Sequence, residues 1–135
     1  MEWRRDEYVL TDDRERADAD AVFALLRDTY WAAGRSRELV KRSIENSLCF
    51  SLFCGGEQVG VARVISDYGA TSYVSDVVIQ PSHRARGLGR WLMEGILEHP
   101  AVRDTRVLLI TRDAQPFYRK LGFATHPYEC MRKAE

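Results

Sequence analysis

The spacing of hydrophobic and polar positions along this chain changes several times, and each change marks an element. Tyr8 to Thr11 predicts a short first strand. Val22, Leu25, Leu26, Thr29 and Tyr30 then recur at i, i+3, i+4, i+7 and i+8, which predicts a helix capped by Asp18 or Asp20 and ended by Gly34. Ser36 caps a second helix, with Glu38 in its first turn and Leu39, Val40, Ile44 and Leu48 on one face. Trp31 and Arg35 fall in the short loop between the two.

The period then shortens to two. Phe50 to Cys54 reads as a strand, and Gly55-Gly56 as a hairpin turn. Gln58 to Ser66 alternates Val59, Val61, Arg63 and Ile65 on what should be one face. Asp67 to Ala70, containing Gly69, turns the chain again, and Thr71 to Ile79 completes an antiparallel meander. Beyond Pro81 comes a helix with Leu88, Trp91, Leu92, Gly95 and Ile96 on one side, stopped at His99-Pro100. Val107 to Thr111 reads as a buried strand, and Ala114 to Leu121 as a short helix ended by Gly122. Phe123 to Thr125 and Glu129 to Arg132 read as closing strands. A strand–helix–strand unit from Thr71 to Thr111 requires a right-handed parallel crossover. The predicted class is therefore α+β: one mixed, mostly antiparallel sheet of six to seven strands with about four helices. A length of 135 residues fits a single domain spanning 1–135.

Charge adds an exclusion. Lys+Arg and Asp+Glu are both 20, and the net charge is zero. A general nucleic-acid or membrane-surface partner normally requires a basic excess, so neither is expected. The first ten residues, MEWRRDEYVL, contain no apolar signal region, and no run approaches a membrane span. Cys49, Cys54 and Cys130 are an odd, widely spaced set that fits neither a disulfide framework nor a metal site. They read as reduced, mostly core thiols of a cytoplasmic protein.

The candidate chemistry lies between Asp76 and Gly89, DVVIQPSHRARGLG. The apolar run Val77, Val78, Ile79 stops at Pro81, and the basic loop Arg84-Ala85-Arg86-Gly87-Leu88-Gly89 enters a helix at once. Free N–H groups and the macrodipole at a helix start attract anions. Gly87 and Gly89 let backbone approach a bulky phosphate, and Arg84, Arg86 and Arg90 add charge. A loop of solvated arginines capping a core helix fits the same residues. A P-loop is excluded because no Lys-Ser/Thr pair follows either glycine, and a dinucleotide fingerprint because Leu92 stands where the third glycine belongs.

Val77-x-Ile79-x-Pro81-x-x-Arg84-x-x-Gly87-x-Gly89 resembles the coenzyme-A loop of the GNAT superfamily, the acyl-CoA-dependent N-acetyltransferases. Ala114-x-x-x-Tyr118-x-x-x-Gly122-Phe123 resembles that family's second motif, about 30 residues on. The resemblance implies acetyl-CoA as cofactor, lying between two splayed strands. It implies pairing of the pantetheine with Val77, Val78 and Ile79, with the Val78 N–H as oxyanion donor. It implies the pyrophosphate on Arg84, Ala85, Arg86, Gly87, Leu88, Gly89 and Arg90. Thr111 stands where many relatives bind the pantetheine through asparagine, and Ala114 and Phe117 should pack beside the cofactor. Tyr118 matches the tyrosine that protonates the leaving thiolate.

The acceptor implied is a small-molecule, amino-acid or peptide amine. An acyl-CoA sensor without turnover, or a protein lysine or N-terminal acetyltransferase, are the alternatives. Trp31, Arg35, Arg37, Arg63 and Tyr73 are the expected pocket residues. An arginine on an apolar stripe needs a partner; Asp67 or Glu57 would serve, or an acidic group on the acceptor. Where some relatives carry Glu-Asp, this chain has Ser75-Asp76. Asp76 is then a candidate base or a tie for the neighbouring helix or loop, with alternation setting it opposite Tyr73 and Ser75. Asp67 is a second candidate base. Similar proteins also form homodimers.

Overall fold

The computed structural model describes residues 1–135, and its sheet has six strands. These are β1 (Glu2–Arg5), β2 (Tyr8–Thr11), β3 (Leu48–Cys54), β4 (Glu57–Ser66), β5 (Thr71–Ile79) and β6 (Arg106–Leu109), and they lie side by side in chain order. Four helices flank them: α1 (Ala19–Arg27), α2 (Arg37–Glu45), α3 (Leu88–Glu98) and α4 (Gln115–Arg119). Every strand pair is antiparallel except β5–β6, the parallel pair that the α3 crossover requires.

The local signals explain most elements. Asp18 caps α1 by accepting from the Asp20 and Ala21 N–H groups, and Ser36 caps α2 through the Leu39 N–H. Gly55 and Gly56, both with positive φ, turn β3 into β4. Asp67 Oδ1 accepts from the Gly69, Ala70 and Thr71 N–H groups and so builds the β4–β5 corner.

Each face of the sheet carries a core. On one, Leu10, Phe50, Leu52, Val59, Ala62, Val64 and Val74 meet Leu88, Leu92, Met93 and Ile96 of α3. On the other, Val22, Leu26, Val40 and Ile44 of α1 and α2 cover Cys49, Val61 and Val78.

Several expectations need correction. The first helix ends at Arg27, and residues 28–34 form turns rather than helix up to Gly34. β1 is a strand with no apolar alternation. The strand after α3 stops at Leu109 rather than Thr111. Phe123 to Thr125 and Glu129 to Arg132 form no strands, so one edge of β6 stays unpaired. Of the cysteines only Cys49 is buried; Cys54 is half-buried and Cys130 exposed.

Candidate functional site

β5 and β6 pair only from Thr71–Arg106 to Val74–Leu109. β5 runs on to Ile79 with no strand beside it on that edge. The result is an open gap flanked by the second half of β5. The peptide groups along it follow from the register. Gln80 N–H donates to Val59 O at 2.7 Å, and Gly60 pairs with Ile79 and Val61 with Val78. Hydrogen-bonded pairs alternate along an antiparallel ladder, so Val61–Val78 is the bonded pair. The Val78 peptide is therefore turned to β4, and those of Val77 and Ile79 to the gap. This corrects the expectation that Val78 N–H is the free donor. Val78 instead presents its side chain to the α1–α2 face, where it packs with Val22 and Leu26.

At the end of β5 the chain makes a short 3₁₀ turn, Pro81–His83, and enters the glycine loop. Gly87 sits at the N-cap of α3 with φ 74°, a left-handed conformation that suits glycine, and no side chain caps the helix. The first bond of α3 is Trp91 N–H to Gly87 O. The amides of Leu88, Gly89 and Arg90 are thus uncapped orphan donors. Ala85 also has positive φ, at 64°, a strained conformation for a residue with a Cβ. A Cβ added at Gly89 would lie 3.6 Å from the ring of Phe117, which ties this helix start to α4.

The arginines of the loop are less free than the sequence suggests. Arg84 Nε donates to Ile79 O at 2.9 Å. Arg86 Nη1 donates to Tyr8 Oη at 2.9 Å, and the Tyr8 hydroxyl meets His83 Nδ1 at 2.8 Å. His83 is therefore tied to β2 through Tyr8. Arg90 is exposed and lies 3.8 Å from Glu94.

α4 carries Phe117 and Tyr118, whose rings meet edge-on at 5.0 Å and pack onto the α3 core. Burial pushes the Tyr118 hydroxyl above the ordinary tyrosine range, with a smaller contribution from Tyr30. No protein group hydrogen-bonds it. Thr111 Oγ1 accepts from the Ala114 N–H at 3.0 Å at the start of α4, and its O–H has no protein acceptor. A cavity of about 840 Å³ lies beyond this point, between β6, α4 and residues 121–130. Thr111 and Tyr118 line it, but no residue of β5 or the glycine loop does. A smaller cavity of about 290 Å³ lies on the α1 side of β5, against Leu25, Thr29, Val78 and Arg84.

The α1–α2 face holds the least anticipated feature. Between Ser75 and Val78 the β4–β5 register slips by one, and Asp76 has φ 54°. This bulge turns the carboxylate onto the face of Arg63 and its pair partner Ser75, contrary to simple alternation. A second slip, between Leu52 and Phe53, puts Val59 on the α3 face, so Arg63 shares its face with Val61 and Ile65 only. The Asp76 side chain is fully buried. Its Oδ1 accepts from Trp31 Nε1 at 2.8 Å, and its Oδ2 from Arg35 Nη1 and Arg63 Nε, both at 2.7 Å. Arg63 Nη1 also reaches Ser47 Oγ at 3.4 Å. Burial alone would raise the Asp76 pKa, but the hydrogen bonds and charges of Arg35 and Arg63 outweigh it and hold the carboxyl below the usual range. Such a group is a tie and a poor base. Arg63 is thus paired with Asp76 and neither with Asp67 nor with Glu57. Asp67 is committed to its turn. Tyr73 pairs with Ile65 beside this cluster, and burial raises its hydroxyl pKa.

The sequence reading missed Tyr30 and Arg112. Tyr30 Oη accepts from the Arg112 N–H at 3.1 Å, and the Arg112 guanidinium lies 3.7 Å above the Tyr30 ring. Trp31, next in sequence, reaches Asp76 on β5. Adjacent residues of one loop therefore bind the segment after β6 and the bulge of β5, and the loop straps the mouth of the gap. Two adjacent aromatics ahead of a glycine were the only signal for this.

The comparisons agree with the geometry. The family model described as an acetyltransferase (GNAT) domain matches residues 45–125. A Xanthomonas campestris pv. campestris structure assigned to the GNAT acetyltransferases is 36% identical, with TM-score 0.89, covering 94% of this chain and 93% of that one. A Gibberella zeae protein assigned as an acetyltransferase is 29% identical over 142 residues, 87% of this chain and 79% of the relative. N-acetylglutamate synthase from Neisseria gonorrhoeae, solved with coenzyme A and N-acetyl-glutamate, shares the fold at TM-score 0.70 and 15% identity, over 87% of this chain and 28% of that longer one. An open mixed sheet with the gap beside β5, an uncapped glycine-bearing helix start and a matching family model lead to one conclusion: the chain belongs to the GNAT acetyltransferase family.

Proposed function

We propose that this protein is an N-acetyltransferase that moves an acetyl group from acetyl-CoA to an amine of a small molecule, amino acid or peptide. The observation that carries the reading is the gap beside β5, which ends on three uncapped amides of α3, the helix start against which Phe117 of α4, next to Tyr118, is packed. These groups fit an extended thioester ending in a diphosphate. The Val77 peptide and the Ile79 N–H are the free polar groups that a pantetheine amide needs, Ile79 O being taken by Arg84. The amides of Leu88, Gly89 and Arg90 fit phosphate oxygens.

Acetyl-CoA supplies a thioester carbonyl and a thiolate leaving group. The chain supplies three things. The gap-facing N–H groups of Val77 and Ile79 are candidate donors to developing negative charge on oxygen. Tyr118 keeps its proton on Oη well above neutral pH, since burial raises its pKa. Passing a proton from a phenol near pKa 10 to a thiolate near 8.5 is uphill by about 2 kcal/mol before that shift, which concerted transfer absorbs. The α1–α2 strap covers the mouth and limits water. Asp76 is not free to act as base, because it is held by two arginines and an indole. An α-amino group near pKa 8 needs little help, whereas a lysine-like amine near 10.4 costs about 4 kcal/mol to deprotonate at neutral pH. That difference supports an α-amine as acceptor.

The test is release of free CoA from acetyl-CoA across a panel of amines, amino acids and N-terminal peptides. Tight acetyl-CoA binding with no thiol release from any of them would instead indicate a sensor.

A further inference from the structure

We propose that Arg35 and Arg63 recognise a carboxylate on the acceptor, so that the substrate is an amine that is also a monoanion. The inference rests on the acetyltransferase reading and adds the substrate class. Two guanidinium groups face one carboxylate, Asp76, which is the sole salt-bridge partner of both. One positive charge is therefore in excess in a poorly hydrated place. The Arg63 side chain is 9% exposed and that of Arg35 25%.

Their remaining donors are available. Arg63 spends Nε on Asp76 and Nη1 on Ser47. Its Nη2 has no protein partner and is not among the sealed, unsatisfied atoms, so it keeps access to solvent. Arg35 spends only Nη1 on a side chain, leaving Nε and Nη2 to form the planar fork that matches a carboxylate. Asp76 fixes both guanidinium groups by 2.7 Å bonds, so little side-chain entropy remains to be lost on binding.

Position selects the acceptor and not the cofactor. The cluster lies on the α1–α2 face of the sheet, the face to which Val78 points its side chain. The uncapped amides of α3 lie past the end of β5, and α3 itself packs on the other face. Asp76, which holds both guanidinium groups, precedes Val78 by only two residues on β5, so the cluster and the gap flank the same stretch of strand. One excess charge matches a monoanion better than a phosphate dianion.

The experiment compares kcat/KM for an amino acid with that for its own carboxamide, across several side chains. The carboxamide has the less basic amine, so intrinsic reactivity favours it, and a preference for the acid must come from recognition. The expected preference is about 100-fold, expressed mainly in KM. In Arg35→Gln that ratio should collapse below about fivefold, and Arg35→Lys should restore part of it. A CoA dissociation constant close to that of the unsubstituted protein certifies that the variant is folded, and the comparison on the unsubstituted protein needs no variant. Carboxamides used as well as acids, a ratio untouched by Arg35→Gln, or a phosphonate preferred tenfold would each overturn the inference while leaving the acetyltransferase reading intact. If no amine releases CoA at all, that reading falls and this one with it.

Discussion

Two arginine-rich regions of this molecule handle charge in opposite ways. In the loop before α3, Arg84 and Arg86 are turned back onto Ile79 O and Tyr8 Oη, and the groups left bare are backbone amides. At the β5 bulge the side chains of Arg35 and Arg63 converge on a buried carboxylate. The first is an anion site made of main chain, with arginines as scaffolding. The second is made of side chains, with a carboxylate as scaffolding. Main-chain donors suit a cofactor that any member of the family must bind. Side-chain donors can differ from one member to the next, which suits an acceptor.

The scaffold of the second region should be the most sensitive point. Asp76→Asn leaves two guanidinium groups facing each other in a buried place, and the expected loss is about 3–5 kcal/mol of stability, read in a urea melt. The pH dependence has a defined sign. Asp76 has a depressed pKa in the folded state, so its contribution is complete above the unfolded value near 3.9 and is lost as pH falls through the folded one. The two proteins should therefore begin to converge below about pH 4 and meet only once the pH has fallen through the lower, folded value. An Asn variant as stable as its parent at neutral pH would show that the carboxylate scaffolds nothing.

Chemistry comes next in size. Tyr118→Phe keeps the ring packing on Phe117 and Phe123 and removes only the hydroxyl proton. We expect kcat to fall about 100-fold with acetyl-CoA affinity little changed. Unchanged kcat would remove Tyr118 as the acid. Gly87→Asp then tests the main-chain site. It puts a carboxylate beside the uncapped amides and a Cβ on a residue at φ 74°. CoA affinity should fall about 30-fold or more by calorimetry, for about 2 kcal/mol of opposed charge and strain.

The same contrast explains what was legible in the sequence. The main-chain site is local. Val77 to Gly89 is one segment, and its glycines, proline and apolar run announce strand, turn and helix together. The side-chain site is assembled from residues 31, 35, 63 and 76, brought together by a loop and a bulge. A bulge adds one residue and reverses every facing prediction beyond it. That is why alternation misplaced Asp76. β1 escaped notice because Glu2, Arg4 and Arg5 are exposed on an edge strand and carry no apolar pattern. Phe123 to Thr125 and Glu129 to Arg132 have strand-like composition but no strand partner in this chain, and composition cannot supply one.

The smallest expected effect is the sharpest test of the comparison. Arg86 is formally one of the cations of the loop, and its side chain is about half exposed, at 52%. Its guanidinium donates to Tyr8 Oη, which leaves the Tyr8 proton for His83 Nδ1, and its contact with Glu7 at 3.8 Å is a loose surface pair. A surface pair contributes about 1 kcal/mol or less, and solvent screens the charge-assisted bond of a half-exposed guanidinium toward the same range. If the phosphates are held by amides, Arg86→Ala should weaken CoA binding less than tenfold and soften the loop only slightly. If Arg86→Ala instead matches Gly87→Asp in lost CoA affinity, the phosphate is held by side chains after all. The loop and the bulge would then be two versions of one device, and the division between a shared cofactor site and an individual acceptor site would rest on the glycines alone.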